Sequence, residues 1–316
     1  MAGRHTKAQT PSLQRAGVGK EITRAELLRL KATAVKCRLA SLEMAYRAGS
    51  GHIPPDFSCM DIMVTLFFRV LRLDPFRPDW DDRDRFILSK GHAVGALYAC
   101  LAERGFFPKE WLDTYQQMET RLPGHPDRNV TPGVEHNTGA LGHGLSVACG
   151  LAAGLRLRKG RGEGRTPRVY VLLGDGELQE GSNWEAAMFA AQQGLDNLVA
   201  VVDRNRLQQG DFTERTVALE DLAAKWNAFG WDVAACDGHD IAALVDVLEA
   251  PPAPGKPRVI IANTVKGRGG PVMENKPEWH HRIPTEAEYE EIKAGLSAVL
   301  ESLERELESE ERVNRG

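Results

Sequence analysis

Two short apolar runs near the middle of the chain restrict its fold more than any other feature. Residues 169–173 and 198–202 are nearly continuous in apolar side chains, and residues 184–193 between them have a helical pattern. A strand, a helix and a second strand at this spacing form a βαβ unit, in which the strands are parallel and buried on both faces. Residues 231–235 and 259–264 predict two more strands with an apolar helix between them. We therefore expect an α/β, doubly wound fold with a mostly parallel sheet and helices on both faces.

The amino-terminal part predicts helices. A capping box that begins at Thr23 predicts a helix that ends at Gly49. Residues 60–71 predict a second helix, which we expect to follow a break at Pro54 and Pro55, because proline disrupts the interior of a helix.

The next segment alternates short elements with one long loop. Residues 86–88 predict a strand, and residues 145–157 predict a helix. Between them, residues 122–144 are rich in Gly, Pro, His and Asn, which predicts a loop. A loop of this length in a compact protein is more often functional than not. A second capping box at Thr285 predicts a terminal acidic helix.

Charge and composition argue against several classes of function. The 316 residues include 40 Lys and Arg against 44 Asp and Glu, a net charge of -4 that gives no reason to expect a nucleic-acid partner. No apolar run reaches the roughly 18 residues of a membrane span. The five cysteines are scattered, and their odd number fits a reducing cytoplasm. Residues 1–20 predict a disordered basic tail without a signal peptide, ahead of a single domain over 21–316.

Polar residues follow two neighbouring strands at the points where the strands end. Gly174, Asp175 and Gly176 follow the first strand, and Asn205 follows the second, thirty positions after Asp175. The carboxyl ends of parallel strands meet at one edge of a sheet, where anionic ligands bind. Carboxylate and amide oxygens suit Mg²⁺ or Ca²⁺, and the glycines let a diphosphate approach the backbone. A lone Gly-Asp-Gly is commonly a simple turn, but this setting predicts a metal–diphosphate site.

These residues also carry a family resemblance. The Gly-Asp-Gly turn with its later Asn resembles the signature of thiamine diphosphate enzymes, and residues 174–186 resemble transketolases in particular. Four further stretches are similar to transketolase motifs: residues 50–54, 84–92, 122–126 and 133–144. The resemblance covers nearly the whole chain. It implies the thiamine diphosphate-binding fold, thiamine diphosphate as cofactor, and Mg²⁺ or Ca²⁺ as metal.

Carried over residue by residue, the resemblance implies a metal site and a cofactor site. The metal would be bound by the side chains of Asp175 and Asn205 and by the backbone carbonyl of Leu207. The diphosphate and the rest of the cofactor would be contacted by His92, Gly139, Leu141, Gly174 and Gly176.

The resemblance also implies catalytic histidines at the sugar end. These are His52, His125 and His280, the last in preference to its neighbour His281. An imidazole can donate or accept a proton near neutral pH, as transfer between sugar oxygens requires. Glu180 has two interpretations: a charge that favours the first turn of a helix, or, as the resemblance implies, a cofactor-linked residue at the interface between subunits.

The resemblance implies that this chain corresponds to only one part of a full transketolase. A full transketolase transfers a two-carbon ketol unit from a ketose (phosphate) to an aldose (phosphate), and it also has a pyrimidine-binding domain, which this chain lacks. We therefore expect a partner subunit that supplies this domain, in an α₂β₂ heterotetramer. Two alternatives, an alpha-type subunit of a 2-oxo-acid dehydrogenase and a deoxyxylulose-phosphate synthase, are disfavoured by the histidine motifs. A non-catalytic transketolase-like scaffold is a third alternative, although a scaffold need not keep both Asp175 and Asn205.

Overall fold

The computed structural model describes residues 21–159 and 165–314 of the chain. The predicted tail over 1–20 lies outside the described residues. The α-helices are α1 (Arg24–Ala48), α2 (Ile53–Thr65), α3 (Val94–Arg104), α4 (Gly144–Lys159), α5 (Gly181–Gln192), α6 (Thr213–Thr216), α7 (Leu222–Ala228), α8 (Ile241–Glu249) and α9 (Glu286–Val313). The strands are β1 (Arg85–Leu88), β2 (Val169–Gly174), β3 (Leu198–Arg204), β4 (Leu207–Gln208), β5 (Asp211–Phe212), β6 (Asp232–Asp237) and β7 (Arg258–Asn263).

Five strands form one parallel sheet in the order β1-β2-β3-β7-β6. The predicted βαβ unit is confirmed as β2, α5 and β3, and Gly174 pairs with Asp203 where both strands end. The pattern therefore predicted the doubly wound α/β fold correctly. It did not predict the small antiparallel hairpin of β4 and β5 or the short helices α6 and α7, since these elements are too short to show a period.

Alternate residues of the sheet pack against helices on opposite faces. Tyr170 and Leu172 join a core with α1, α2, α3 and α8. Val171 and Leu173 join a second core with α4, α5 and α7. Successive side chains of a strand point to opposite faces, so a continuous apolar run is what a sheet covered on both sides requires.

The expectation that Pro54 and Pro55 break the chain ahead of the second helix was wrong. Helix α2 begins at Ile53, and Pro54 and Pro55 lie in its first turn. The first-turn N–H groups of a helix have no intrahelical acceptor, so proline loses nothing there and its fixed φ favours the helix. The consequence for the site is that His52 becomes the residue that immediately precedes α2.

Helix α9 packs along α1 and closes the fold on one side. The capping box at Thr285 is confirmed, with Glu288 accepting from the Thr285 backbone N–H. The capping interaction at Thr23 is also present, and α1 ends at Gly49 in the left-handed conformation, with a φ of 63°. None of the helices in the described part of the chain combines the length and the apolarity that crossing a bilayer requires.

The buried carboxylate of Glu177 joins two loops and the end of a strand at the carboxyl edge of the sheet. Its Oε1 accepts from the Ser89 hydroxyl and from the Gly142 backbone N–H, the latter at 2.9 Å. Its Oε2 accepts from the Gly174 backbone N–H at 3.0 Å. The side chain is 3% exposed, and burial raises the pKa of its carboxyl. Glu177 therefore holds in register the loop after β1, the loop before α4 and the end of β2.

We expect Glu177→Gln to lower the free energy of unfolding by about 1–3 kcal/mol, because an amide group cannot accept from all three donors and leaves a buried N–H without a partner. Urea unfolding followed by circular dichroism measures this difference. Glu185→Gln, at an exposed position of α5, is the matched control and should change stability by no more than about 0.5 kcal/mol. Equal effects of the two substitutions would contradict the role of Glu177.

Candidate active site

A cleft of about 270 Å³ opens at the carboxyl edge of the parallel sheet. It is lined by ten of the twelve residues that the sequence singles out: His92, Gly139, Leu141, Gly174, Asp175, Gly176, Glu180, Asn205, Leu207 and His280. The remaining two lie beside lining residues, since the ring of His52 contacts those of His92 and His280, and His125 lies against Gly139. Residues far apart in the sequence thus meet at one place, while their individual roles stay predictions.

The carboxylate of Asp175 is held in place from several sides. Its Oδ1 accepts from the Gly176 N–H at 2.8 Å, and its Oδ2 accepts from the Arg204 guanidinium at 3.1 Å and from the Arg206 N–H. Burial, and secondarily the charge of Asp203, raise the pKa of Asp175 to about 6. A carboxylate that is costly to keep charged in a buried place is one that a cation would stabilise.

The amide of Asn205 is oriented by its neighbours. Its Nδ2 donates to Asp203 and to Ser58, both at 3.2 Å. Because those acceptors take the NH₂ group, Oδ1 lies on the other side, where it accepts from the Leu207 N–H at 3.0 Å. The side-chain oxygen of Asn205 therefore belongs to the same cleft as Asp175.

These oxygens fit a metal diphosphate. The two side chains and the Leu207 carbonyl are hard ligands, and they are too few to complete the shell of Mg²⁺, which in proteins commonly keeps waters and phosphate oxygens. Within residues 21–159 and 165–314 there is no cluster of three or more His, Cys, Asp or Glu that could hold a metal ion by itself. The chemistry of the donor set thus matches a cation that a diphosphate accompanies.

Two glycines of the cleft have no room for a side chain. A Cβ on Gly176 would lie 2.8 Å from Cγ of Gln208. Gly139 has a φ of 135°, and a Cβ there would lie 2.8 Å from Cδ2 of His125. A side chain at either position would therefore displace Gln208 or His125 from the wall of the cleft.

Two buried lysines give the floor of the cleft its positive charge, and the sequence did not single out either. Lys90 donates to the Asp203 carboxylate and, at 3.1 Å, to the Pro55 carbonyl. Burial acts to lower the pKa of Lys90, but Asp203 outweighs burial and the pKa is raised. Lys266 is 2% exposed, and burial, with a contribution from Lys90, lowers its pKa to about 8. Lys90 lies within residues 84–92, one of the stretches that resemble transketolase motifs. The sequence analysis therefore included the residue but did not predict its buried charge.

Four imidazoles form a cluster beside the lysines. The ring centroid of His52 lies 5.3 Å from that of His92, 5.2 Å from that of His280 and 4.5 Å from that of His281. Burial is the main cause that lowers the pKa of His52 to about 4 and of His280 to about 3. The amino group of Lys266 is 2.9 Å from Nδ1 of His280. The sequence favoured His280 over His281, whereas the structure brings both rings to His52.

The remaining predicted residues lie at the rim. Leu141 is 37% exposed, and its carbonyl is 3.2 Å from Nδ1 of His143. Glu180 is exposed at the residue before α5 and makes no capping hydrogen bond to that helix, so its side chain is free to contact a neighbouring molecule. His239 has a structural setting, between the Asp61 carboxylate and the Val265 N–H.

Comparisons with known proteins agree with this geometry. A family model described as transketolase, thiamine diphosphate binding domain, matches residues 30–299. One subunit of the apulose-4-phosphate transketolase of Actinobacillus succinogenes is 49% identical over 83% of this chain and 93% of its own length. One subunit of the 6-deoxy-6-sulfo-D-fructose transketolase of a Clostridium species is 42% identical over 79% of this chain and 89% of its own length.

Solved structures give the same result for the fold. The transketolase of Leishmania mexicana matches with a TM-score of 0.75 and 28% identity, over 90% of this chain and 46% of that protein. This chain therefore spans about half the length of that transketolase. The matched family favours the transketolase interpretation over that of a 2-oxo-acid dehydrogenase. The chain belongs to the transketolase family and corresponds to its thiamine diphosphate binding domain.

Proposed function

We propose that this chain is the diphosphate-binding subunit of a split transketolase, which with a partner subunit transfers a two-carbon ketol unit from a ketose to an aldose. The cleft carries the proposal because its two ends differ in chemistry. Oriented oxygens and buried lysines at one end suit a metal diphosphate, and neutral imidazoles at the other end suit sugar hydroxyls.

At the metal end, Asp175 and Asn205 would bind Mg²⁺ through side-chain oxygens, and Leu207 through its carbonyl. Lys266 would attract the diphosphate with its charge, and His92 would donate to a phosphate oxygen. When bound, thiamine diphosphate supplies the carbon nucleophile for attack on the ketose carbonyl. The residues of this chain hold that group in place and keep the metal end away from bulk water.

At the sugar end, His52, His125 and His280 would exchange protons with sugar oxygens. A protonated lysine can only donate, so Lys266 donates to Nδ1 of His280 and the imidazole carries its proton on Nε2. That Nε2–H is available to a carbonyl or hydroxyl oxygen of the sugar. A neutral imidazole can take a proton and return it from its protonated form, which a reversible transfer requires in its two directions.

The partner subunit would supply the pyrimidine-binding domain, in a cytoplasmic α₂β₂ assembly, and Glu180 would lie at an interface between subunits. Two relatives of similar length are named as one subunit of a transketolase, which supports a split enzyme. The sugars in the names of these and another relative carry a phosphate or a sulfonate group. We therefore propose a ketose with an anionic end group as the donor.

Asp175→Asn should weaken the binding of thiamine diphosphate with Mg²⁺ by more than roughly 10- to 100-fold. That is the usual cost of losing a residue that only hydrogen-bonds to a metal ligand. The amide keeps the shape of the side chain but removes the charge that the cation needs. Calorimetric titration of the assembled protein measures the affinity. Asp246→Asn, on the exposed side of α8, is the control and should leave it unchanged. Equal affinity of Asp175→Asn and wild type would refute the metal assignment.

The affinity for thiamine diphosphate should fall about fivefold as the pH rises from 8 to 9. Lys266 has a pKa of about 8 in the free protein, and an anion binds its protonated form more tightly. The favourable charge is thus present below pH 8 and is lost above it. Lys266→Met should bind more weakly at pH 7 and show a flat profile over this range. Lys256→Met, at an exposed lysine, should keep the wild-type profile; a wild-type profile in Lys266→Met would contradict the role of Lys266.

Ketol transfer should be absent from this chain alone and should appear when the partner is added. The cleft would contribute ligands for the metal, the diphosphate and the sugar, and the partner would contribute the pyrimidine-binding domain of a full transketolase. Release of an aldose from a ketose phosphate, followed in a coupled assay, measures the activity. Turnover by this chain without a partner, at a rate equal to that of the pair, would overturn the split-enzyme proposal.

A further inference from the structure

One more histidine, His281, contacts the imidazole cluster although its side chain is exposed. Its ring centroid is 4.5 Å from that of His52, the shortest separation in the imidazole cluster, and the two planes meet at 61°. The side chain is exposed, and in the part of the chain that the structure describes neither of its ring nitrogens makes a hydrogen bond. His281 is thus in contact with a predicted catalytic residue while its polar atoms stay free.

The turn that carries His280 and His281 is anchored on both sides. Trp279, which precedes the pair, is 2% exposed and packs in the core formed with α1 and α9. Arg282, which follows it, stacks over the Trp279 ring at 4.0 Å and donates to the Glu288 carboxylate at 2.8 Å. The pair is therefore presented to His52 at a fixed place, as a binding site requires.

The charge state of the cluster indicates what it binds. Burial, and next the proximity of His281, lower the pKa of His52, so its imidazole is neutral near pH 7. A neutral imidazole has one donor and one acceptor nitrogen, the same combination that a hydroxyl group offers. A neutral imidazole whose ring nitrogens have no hydrogen-bond partner therefore suits a polyhydroxylated chain better than an anion.

We propose that His281, which lies beside the predicted catalytic residue His52, is a substrate-binding residue that forms hydrogen bonds to hydroxyl groups of the sugar beyond the carbons that react. This inference rests on the proposed function, because it assigns a recognition role within the same site. Hydroxyl groups are what separate a ketose from a short ketol donor. His281 would therefore select sugars over smaller carbonyl compounds, and it would act on specificity more than on the chemical step.

The test uses the complex of this chain with its partner, thiamine diphosphate and Mg²⁺. Two donors are compared: hydroxypyruvate, which has no hydroxylated chain beyond the reacting carbons, and a ketose. The ketose is whichever of apulose 4-phosphate, 6-deoxy-6-sulfo-D-fructose and D-fructose 6-phosphate the wild-type complex converts fastest. For His281→Ala we expect the ratio of kcat/KM for the ketose to that for hydroxypyruvate to fall about tenfold, mainly through KM, as for the loss of one or two hydrogen bonds.

Two further variants separate recognition from a structural effect. His281→Asn keeps a donor and an acceptor and should restore part of the ratio, while His136→Ala, at a histidine outside the cleft, should leave it unchanged. An unchanged ratio in His281→Ala, or an equal loss with both donors, would overturn the role of His281 and leave the proposed function standing. A wild-type complex that binds thiamine diphosphate but converts none of the donors would overturn the proposed function, and the inference with it.

Discussion

The ion pair of Lys90 and Asp203 is the contact on which the carboxyl edge of the sheet depends. Both side chains are almost fully buried, and a charge left without its partner there would cost about 3–5 kcal/mol. Asp203 also accepts from the hydroxyls of Ser58 and Thr264, and Lys90 also donates to the Pro55 carbonyl. The loop after β1, the end of β3, the residue after β7 and the first two turns of α2 therefore meet at one pair of charges.

The orientation of Asn205 depends on Asp203 of this pair. Asn205 donates to Asp203 and Ser58, so the amide can turn only one way, with its oxygen on the side of Leu207 and the cleft. Asp175 is fixed separately, by the Arg204 guanidinium and by two backbone N–H groups. The protein itself therefore orients both Asp175 and Asn205, and a cation that they bound would order neither side chain.

The sequence predicted that Asp175 and Asn205 lie close together, and both line the cleft, because a parallel sheet places the ends of neighbouring strands side by side. Gly174 pairs with Asp203, and the residues after them follow without a long loop. The histidine cluster could not be predicted from strand order, because the packing of α1, α2 and α9 brings His52 and His280 together. Only the family resemblance indicated these two residues. The roles of Lys90 and Glu177 were missed for a related reason. A charged residue in a sequence predicts a solvated side chain, and only its partners in space show that it is buried.

The lysines that would hold an anion also contribute, after burial, to the low pKa of the nearby imidazoles. Burial is the largest cause of the low pKa of His280, followed by the charge of Lys266, and for His92 it is burial followed by the charge of Lys90. An anion bound beside these lysines would offset their charge and raise the pKa of both imidazoles toward the ordinary range. Proton transfer is most effective when the pKa of the donor is near the working pH. An anion bound beside the lysines would therefore bring His280 and His92 closer to the state in which an imidazole can transfer protons.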